Sequence, residues 1–449
     1  MFFFYSLLLT LGVIALLPVF LWQALRHGKY VEGLRERAGG VGGIDTGGRP
    51  VVWLHCVSVG ETQAARPLAR ALAERFPAHA LVVSTTTLTG QRVAREAFRG
   101  LAASVFYFPF DWAWSVRRAL DAVRPSVVLL METELWFRFL DECKARGVAV
   151  ALVNGRLSER SFSRYKMIRG FVRRALGTLS LAAMQSEADA ARLRQLGVAP
   201  ERVRVSGNVK FDADDYESAQ PLTGELRARF ALDGQRPLVV AASTHAPEES
   251  AVLEAFKQLR ADLPRASPRL LVAPRHPERF AEVAAMLDAS GLPWSRRTAV
   301  DAPRDASCDV ILLDTVGELR AAYPLAAVVF VGGSVAKTGG HNVLEPAAAA
   351  RCVVTGAHTF NFAEIVRDFA ARDALVQLPA LSDAETPAAL ARILRDLLTD
   401  DERRRRLGDN ALALVKQNRG ATARTLEFLT PIIEERSGVR GQGSGDRAG

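Results

Sequence analysis

The chain has 449 residues, more than one hydrophobic core ordinarily serves, so two domains of about 200 residues each are expected. Hydrophobic residues make up 49%, charged residues 24% and aromatic residues 8%, which excludes a disordered or fibrous chain. The net charge of +9 fits an anionic membrane surface or an anionic substrate. Without a helix-turn-helix or an aromatic-basic pattern, nucleic acid is the weaker reading and no nucleic-acid partner is expected.

The first element is an apolar stretch from Phe2 to Trp22, interrupted only by Ser6, Thr10, Gly12 and Pro18. About 20 apolar residues suffice to cross a bilayer as a helix. No charge precedes the stretch, and Arg26, Lys29, Arg35 and Arg37 follow it. A secretory signal would carry its charge first and a small-residue cleavage site after. An uncleaved membrane-anchor helix over residues 1–24 is therefore expected, with the larger remainder held in the cytoplasm by the positive-inside bias.

From Val51 onward, short apolar strands alternate with amphipathic helices. The strands expected first are Val51–His55, Leu81–Ser84, Val127–Met131, Val148–Val153, Leu181–Met184 and Val203–Val205. Continuous apolar strands separated by helices indicate a parallel sheet covered on both faces. The polar stretch 212–223 reads as a linker. A second series follows: Leu238–Ala242, Leu270–Ala273, Val310–Leu313, Val328–Val331 and Cys352–Thr355. The expected architecture is α/β, with two doubly wound Rossmann-like domains facing a cleft: 25–212, then 213–400. Helices at 401–436 are expected to pack back, and 437–449 is a Gly-, Ser- and Arg-rich tail.

Several strand ends carry residues capable of chemistry. Ser58-Val59-Gly60-Glu61 follows the first strand; Glu61 either takes a proton from a sugar hydroxyl or merely complements a helix dipole. Met131-Glu132-Thr133-Glu134-Leu135-Trp136 sets two acids at the end of a buried strand, where capping explains only one. Lys210 ends the last strand of the first series and either neutralises an anion or lies on the surface. In the second series, Pro274-Arg275-His276 offers a guanidinium fork suited to phosphate, or a loop arginine paired with an acid. Val316-Gly317-Glu318 permits close backbone approach to a ligand, or simply leads into a helix. Gly332-Gly333-Ser334, followed by Gly339-Gly340-His341-Asn342-Val343-Leu344-Glu345-Pro346, reads as a glycine-rich loop whose free N–H groups hold phosphate, with Glu345 on ribose hydroxyls. It is neither a Walker loop nor a GxGxxG fingerprint. The four cysteines lack any CxxC spacing, and no clustered His/Asp set appears, so no metal site is expected.

Taken together, Ser-Val-Gly-Glu at 58–61, Met-Glu-Thr-Glu-Leu-Trp at 131–136, Ser-Thr-His at 243–245 with Glu248-Glu249, Pro-Arg-His-Pro-Glu-Arg-Phe at 274–280, Gly-Gly-His-Asn-Val-Leu-Glu-Pro at 339–346 and His-Thr-Phe-Asn-Phe at 358–362 resemble the 3-deoxy-D-manno-octulosonic acid (Kdo) transferase family. The resemblance runs in order from the apolar stretch to about residue 430. It implies the two-domain glycosyltransferase fold called GT-B, and an inverting transfer of Kdo from CMP-Kdo to a phosphorylated lipid A precursor in lipopolysaccharide biosynthesis. The implied place is the cytoplasmic face of the bacterial inner membrane. By resemblance Glu61 is the proton acceptor, and Glu132 and Lys210 stabilise the transition state. Pro274, Arg275, Val316, Gly317, Glu318, Asn342, Val343, Leu344 and Glu345 would hold the donor, with no metal and no cofactor. His55, His245, His276, His341 and His358 are read as hydrogen-bonding or packing residues. The rivals are a nucleotide-sugar epimerase on the same fold and a membrane-tethered basic scaffold.

Overall fold

The structure is a computed structural model that describes residues 5–7, 9–15, 32–133, 135–212 and 220–436. The chain divides into two compact units, Met1–Ala213 with Asn418–Gly449, and Asp214–Gln417. The tail expected at 437–449 lies outside the described residues, as does Glu134.

The first unit is built on seven parallel strands: β1 (Val51–Cys56), β2 (Ala80–Thr85), β3 (Ser104–Tyr107), β4 (Pro125–Met131), β5 (Ala149–Gly155), β6 (Leu181–Met184) and β7 (Val203–Val205). Their order across the sheet is β3-β2-β1-β4-β5-β6-β7. All six residues of β1 are buried because side chains alternate between two covered faces. Val51 and Trp53 join one apolar cluster with Val82 and Val128; Val52, Leu54 and Cys56 join the other with Val83 and Leu129. The helix Val59–Arg75 lays Ala65, Leu68 and Leu72 on the second face.

The same face is finished by the last helix, Ala421–Arg436, through Ala421, Leu429 and Ile433. Burying one such Leu or Ile side chain contributes about 1.5–3 kcal/mol. Polar contacts fix where this helix begins. The Asp212 carboxylate accepts N–H bonds from Gly420 at 2.7 Å and Thr422 at 2.6 Å, and Arg424 Nε donates to the Ser206 carbonyl at 2.8 Å.

The second unit repeats the plan with β8 (Leu238–Thr244), β9 (Arg269–Pro274), β10 (Trp294–Arg296), β11 (Val310–Leu312), β12 (Val328–Val331), β13 (Cys352–Thr355) and β14 (Val376–Gln377). Their order is β10-β11-β9-β8-β12-β13-β14, again all parallel. In each sheet the strand order reverses beside the first strand, between β1 and β4 and between β8 and β12. Open α/β sheets bind ligands at the carboxyl ends of strands at such a point.

The strands expected from apolar runs are all present. β3, β10 and β14 were not expected, and each lies on a sheet edge, where half-solvated residues such as Ser104 and Arg296 break the apolar pattern.

The expected anchor helix over 1–24 is not shown. Residues 1–4, 8 and 16–31 lie outside the described residues; 5–7 and 9–15 are helical. Among the described residues no helix is long and apolar enough to cross a membrane. What is described packs on the first unit: Tyr5 Oη donates to Asp111 Oδ2 at 2.8 Å, Trp112 Nε1 donates to Thr10 Oγ1 at 3.0 Å, and the Tyr5 ring meets Phe137 edge-on at 5.6 Å. Leu7, Leu11 and Ile14 remain exposed, at 44%, 53% and 59%.

Candidate active site

In the first unit, β1 delivers the chain into a turn closed by Ser58, the N-cap of the helix Val59–Arg75. Ser58 Oγ accepts the Glu61 N–H at 3.4 Å and donates to Glu61 Oε1 at 3.0 Å, while Val57 N–H donates to Glu61 Oε2 at 2.8 Å. This is the reciprocal logic of a capping box, with Glu61 at its third helical position. The carboxylate is thus oriented, and only 7% of the residue is exposed. Capping and proton acceptance, the two readings of Glu61, are compatible in this geometry.

Glu132 follows β4, the strand paired with β1. Its backbone is left-handed, φ 55, a conformation that costs a non-glycine residue about 1–3 kcal/mol and collects at functional sites. Lys210 Nζ lies 3.0 Å from Glu132 Oε1, both side chains about four-fifths buried at 20% and 19% exposure. The Lys210 turn is fixed by Asn208 Oδ1, which accepts the Lys210 N–H at 3.0 Å, and by Asn154 Oδ1, which accepts the Val209 N–H at 3.1 Å. The buried Cys56 thiol registers both acids. Burial first, then the charges of Glu61 and Glu132, push it well above the ordinary thiol range. Glu61, Glu132 and Lys210 are therefore brought together at the point where the strand order reverses.

His55, one residue earlier on β1, is a core side chain. Its ring stacks on Phe108 at 3.8 Å, Nδ1 lies 2.9 Å from Ser84 Oγ, and burial pulls its pKa down to about 3.

In the second unit the expected residues lie in three stretches. Pro274 ends β9, and Arg275 turns away from it with its N–H on the Thr244 carbonyl at 3.0 Å. Val316 is exposed at 77% and Gly317 has φ 91, in the turn after β11. Glu318 accepts from Arg297 Nε and Thr315 Oγ1, each at 2.9 Å. Asn342 Oδ1 accepts the Leu344 N–H at 3.0 Å, Val343 precedes the short helix Leu344–Ala348, and Glu345 pairs with Arg320 at 3.5 Å. Arg320 lies on the helix that follows the 316–318 turn, so that ion pair ties this turn to residues 342–345.

One expectation needs correcting. Of the glycine-rich loop expected to hold phosphate, the N–H groups of 333–336 are already engaged by Glu248. This wholly buried carboxylate accepts from Gly333 (2.7 Å), Ser334 (2.9 Å), Val335 (2.8 Å), Ala336 (3.2 Å) and His245 (3.0 Å). The glycines serve close packing. A Cβ on Gly332 would come within 2.7 Å of Glu248 Oε2, and one on Gly333 within 2.9 Å of His341 Nε2. Gly333 also has φ 69, which glycine adopts without strain.

The histidines, read as hydrogen-bonding or packing residues, do hydrogen-bond, and three of them come together. His245 Nε2 and His341 Nε2 are 2.8 Å apart with their rings 4° from coplanar, and His276 meets His245 at 5.0 Å between centroids. Three residues from separate motifs form one cluster, joined electrostatically by Arg275. The readable signal was that each follows a central strand or its loop, β8, β9 and β12.

Comparison with known proteins identifies the family. The family model for 3-deoxy-D-manno-octulosonic-acid transferase (kdotransferase) matches residues 32–213. The 3-deoxy-D-manno-octulosonic acid transferase of Haemophilus influenzae is 35% identical, over 96% of this chain and 99% of that protein. That of Bordetella pertussis is 38% identical, over 84% of this chain and 86% of its own length. In fold alone, UDP-GlcNAc 2-epimerase from Neisseria meningitidis is similar, with a TM-score of 0.54 at 12% identity, covering 85% of this chain and all of that one (100%). With identity of this order along nearly the whole length, the chain is a glycosyltransferase and belongs to the 3-deoxy-D-manno-octulosonic acid transferase family.

Proposed function

We propose that this Kdo transferase moves the sugar from CMP-Kdo onto a phosphorylated lipid A precursor, in one inverting displacement, at the cytoplasmic face of the bacterial inner membrane. The observation that carries the reading is the grouping of Glu61, Glu132 and Lys210 at the ends of β1 and β4, with Lys210 3.0 Å from Glu132. Glu61, held by Val57 and Ser58, takes the proton of the acceptor hydroxyl. The hydroxyl oxygen forms its bond to the anomeric carbon as the bond from that carbon to phosphate breaks. The electron pair leaves with cytidine monophosphate. Lys210, oriented by Glu132, offsets negative charge developing in the transition state.

On the donor side, the proposal assigns Pro274, Arg275, the 316–318 turn and residues Asn342 to Glu345 to the cytidine nucleotide. Arg275 is the phosphate ligand, through its fork of donors. No metal is given a part in the step.

The membrane assignment is supported by exposed apolar side chains. Leu7, Leu11 and Ile14 recur at helical spacing, and Met167 and Ile168 are exposed at 81% and 49% beside Arg164, Lys166 and Arg169. Such a surface suits an anionic leaflet carrying a phosphorylated lipid.

The test supplies radiolabelled Kdo, cytidine triphosphate, the activating synthetase and tetra-acylated lipid A precursor. Label must pass into lipid with inverted anomeric configuration, and a folded Glu61→Gln variant must lose the transfer. Retained configuration, or near-normal turnover by that variant, ends the proposal.

A further inference from the structure

The second unit holds a histidine arrangement that donor binding by Arg275 does not by itself require. His245 and His341 touch head to head through Nε2, at 2.8 Å and nearly coplanar. Both rings are held from behind. Glu248 binds the His245 N–H and the N–H groups of 333–336, so two loops share one buried carboxylate. Gly333 then leaves the space that the His341 ring fills.

Two imidazole nitrogens at that distance require one proton between them. In the neutral pair, one Nε2–H donates to the other ring's lone pair. One Nδ1 then carries a proton and the other is bare. Adding a proton gives both rings an Nδ1–H while the central bond persists. Among the described residues, no hydrogen-bond partner engages either Nδ1. The pair is thus built to change from one outward donor to two, gaining a positive charge.

We propose that the His245–His341 pair is a proton-sharing receptor for the phosphodiester oxyanion of the donor, which draws one proton from solvent onto the pair as it binds. This inference rests on the reading of the second unit as the donor site.

The charges around the pair explain why the proton waits for the ligand. Arg275, His276 and Arg279, from the turn after β9, act against a positive charge on His245, while Glu249, from its own turn, favours one. Glu249 is itself held by Arg279 at 3.1 Å, and Glu248 by five N–H groups. Lys337 adds a further positive charge on the loop that carries His341. Burial first, then His245, Arg275 and His276, push His341 down to about 4. The empty pair is neutral near pH 7. An oxyanion beside Arg275 and the rings reverses the balance, because an opposite charge within about 4–6 Å favours the charged form.

The sign follows by linkage. Between the low pKa of the empty pair and the raised pKa of the occupied one, the complex binds more protons than its parts. Affinity therefore falls as pH rises, by up to about tenfold per pH unit.

The test uses the full chain and the methyl ester of CMP, whose phosphodiester does not itself titrate near neutrality. Calorimetry in buffers of different ionisation enthalpy counts protons taken up between pH 6 and 8. The expected result is close to one proton per ester bound, a loss of affinity approaching about tenfold per pH unit at the steepest point, and loss of both in His341→Gln and His245→Asn. His276→Gln should keep the uptake. Imidazole nitrogen chemical shifts in the wild type read the same proton without a variant, so a poorly folded substitution does not shelter the idea. Ester binding that depends on Arg275 but takes up no proton, or uptake surviving in both pair variants, overturns the receptor and leaves the donor site standing. No ester binding, or binding indifferent to Arg275→Ala, overturns both.

Discussion

Lys210 Nζ rests 3.0 Å from Glu132 Oε1, and Glu132 reaches it from a left-handed backbone at φ 55. The pair joins a turn after β7 to the end of β4 across the two strands between them. An ion pair still reached by water contributes about 1 kcal/mol or less to stability. The strain at Glu132 costs as much or more, so the arrangement is better explained by function than by folding.

Replacing Lys210 by Met therefore separates the two quantities. The unfolding midpoint should move little, while kcat for Kdo transfer should fall by about 100-fold or more, as for loss of a preorganised charge stabiliser. Steady-state kinetics beside a thermal melt decide it; a large loss of stability with intact turnover would reverse the assignment.

Ser58 and Glu61 make a contrasting pair. Ser58→Ala removes an N-cap and a hydrogen bond to Glu61, costing about 1 kcal/mol of stability with a modest fall in rate. Glu61→Gln keeps the cap geometry but loses the base, and kcat/KM should fall about 100- to 10,000-fold. Comparing denaturant midpoints with kcat/KM for both variants checks the split.

Glu248→Ala would leave the N–H groups of His245, Gly333, Ser334, Val335 and Ala336 without their shared acceptor. Losing a buried charge that binds such a set should destabilise the second unit by about 3–5 kcal/mol. Hydrogen exchange, read at residues 333–336, should show those amides losing protection first.

His55 supplies a pH prediction. Its folded pKa is about 3 against an ordinary value near 6.5, so the unfolded chain binds the extra proton. Stability from this group is intact above about pH 6.5 and is lost as pH falls toward 3, by at most about 1.4 kcal/mol per pH unit. The stability gap between wild type and His55→Gln should narrow over that window in urea titrations. A gap that widens on acidification would contradict the burial argument.

Much of the fold was legible because central parallel strands are apolar on both faces. β1, β4, β8 and β12 announce themselves as uninterrupted runs. β3, β10 and β14 do not, since an edge strand needs fewer apolar residues. Glu61, Glu132 and Lys210 could be picked out because each comes within five residues of a strand's end, although Lys210 lies in a turn past β7 and does not itself end that strand. Glu248 could not be understood that way. Its role depends on N–H groups far downstream, the first of them Gly333, 85 positions on. The His245–His341 contact was hidden for the same reason, its partners being 96 positions apart. Composition cannot reveal that an internal carboxylate fills the 333–336 part of the glycine run.

The chain passes from the first unit to the second and returns, and the helix Ala421–Arg436 completes the face begun by β1 and Val59–Arg75. The earliest sheet to leave the ribosome thus waits for the final stretch of polypeptide before its apolar side is sealed. Any fragment stopping near residue 213 would leave the cluster around Leu68, Val83 and Leu129 open to water, as ready ground for chaperones or for aggregation.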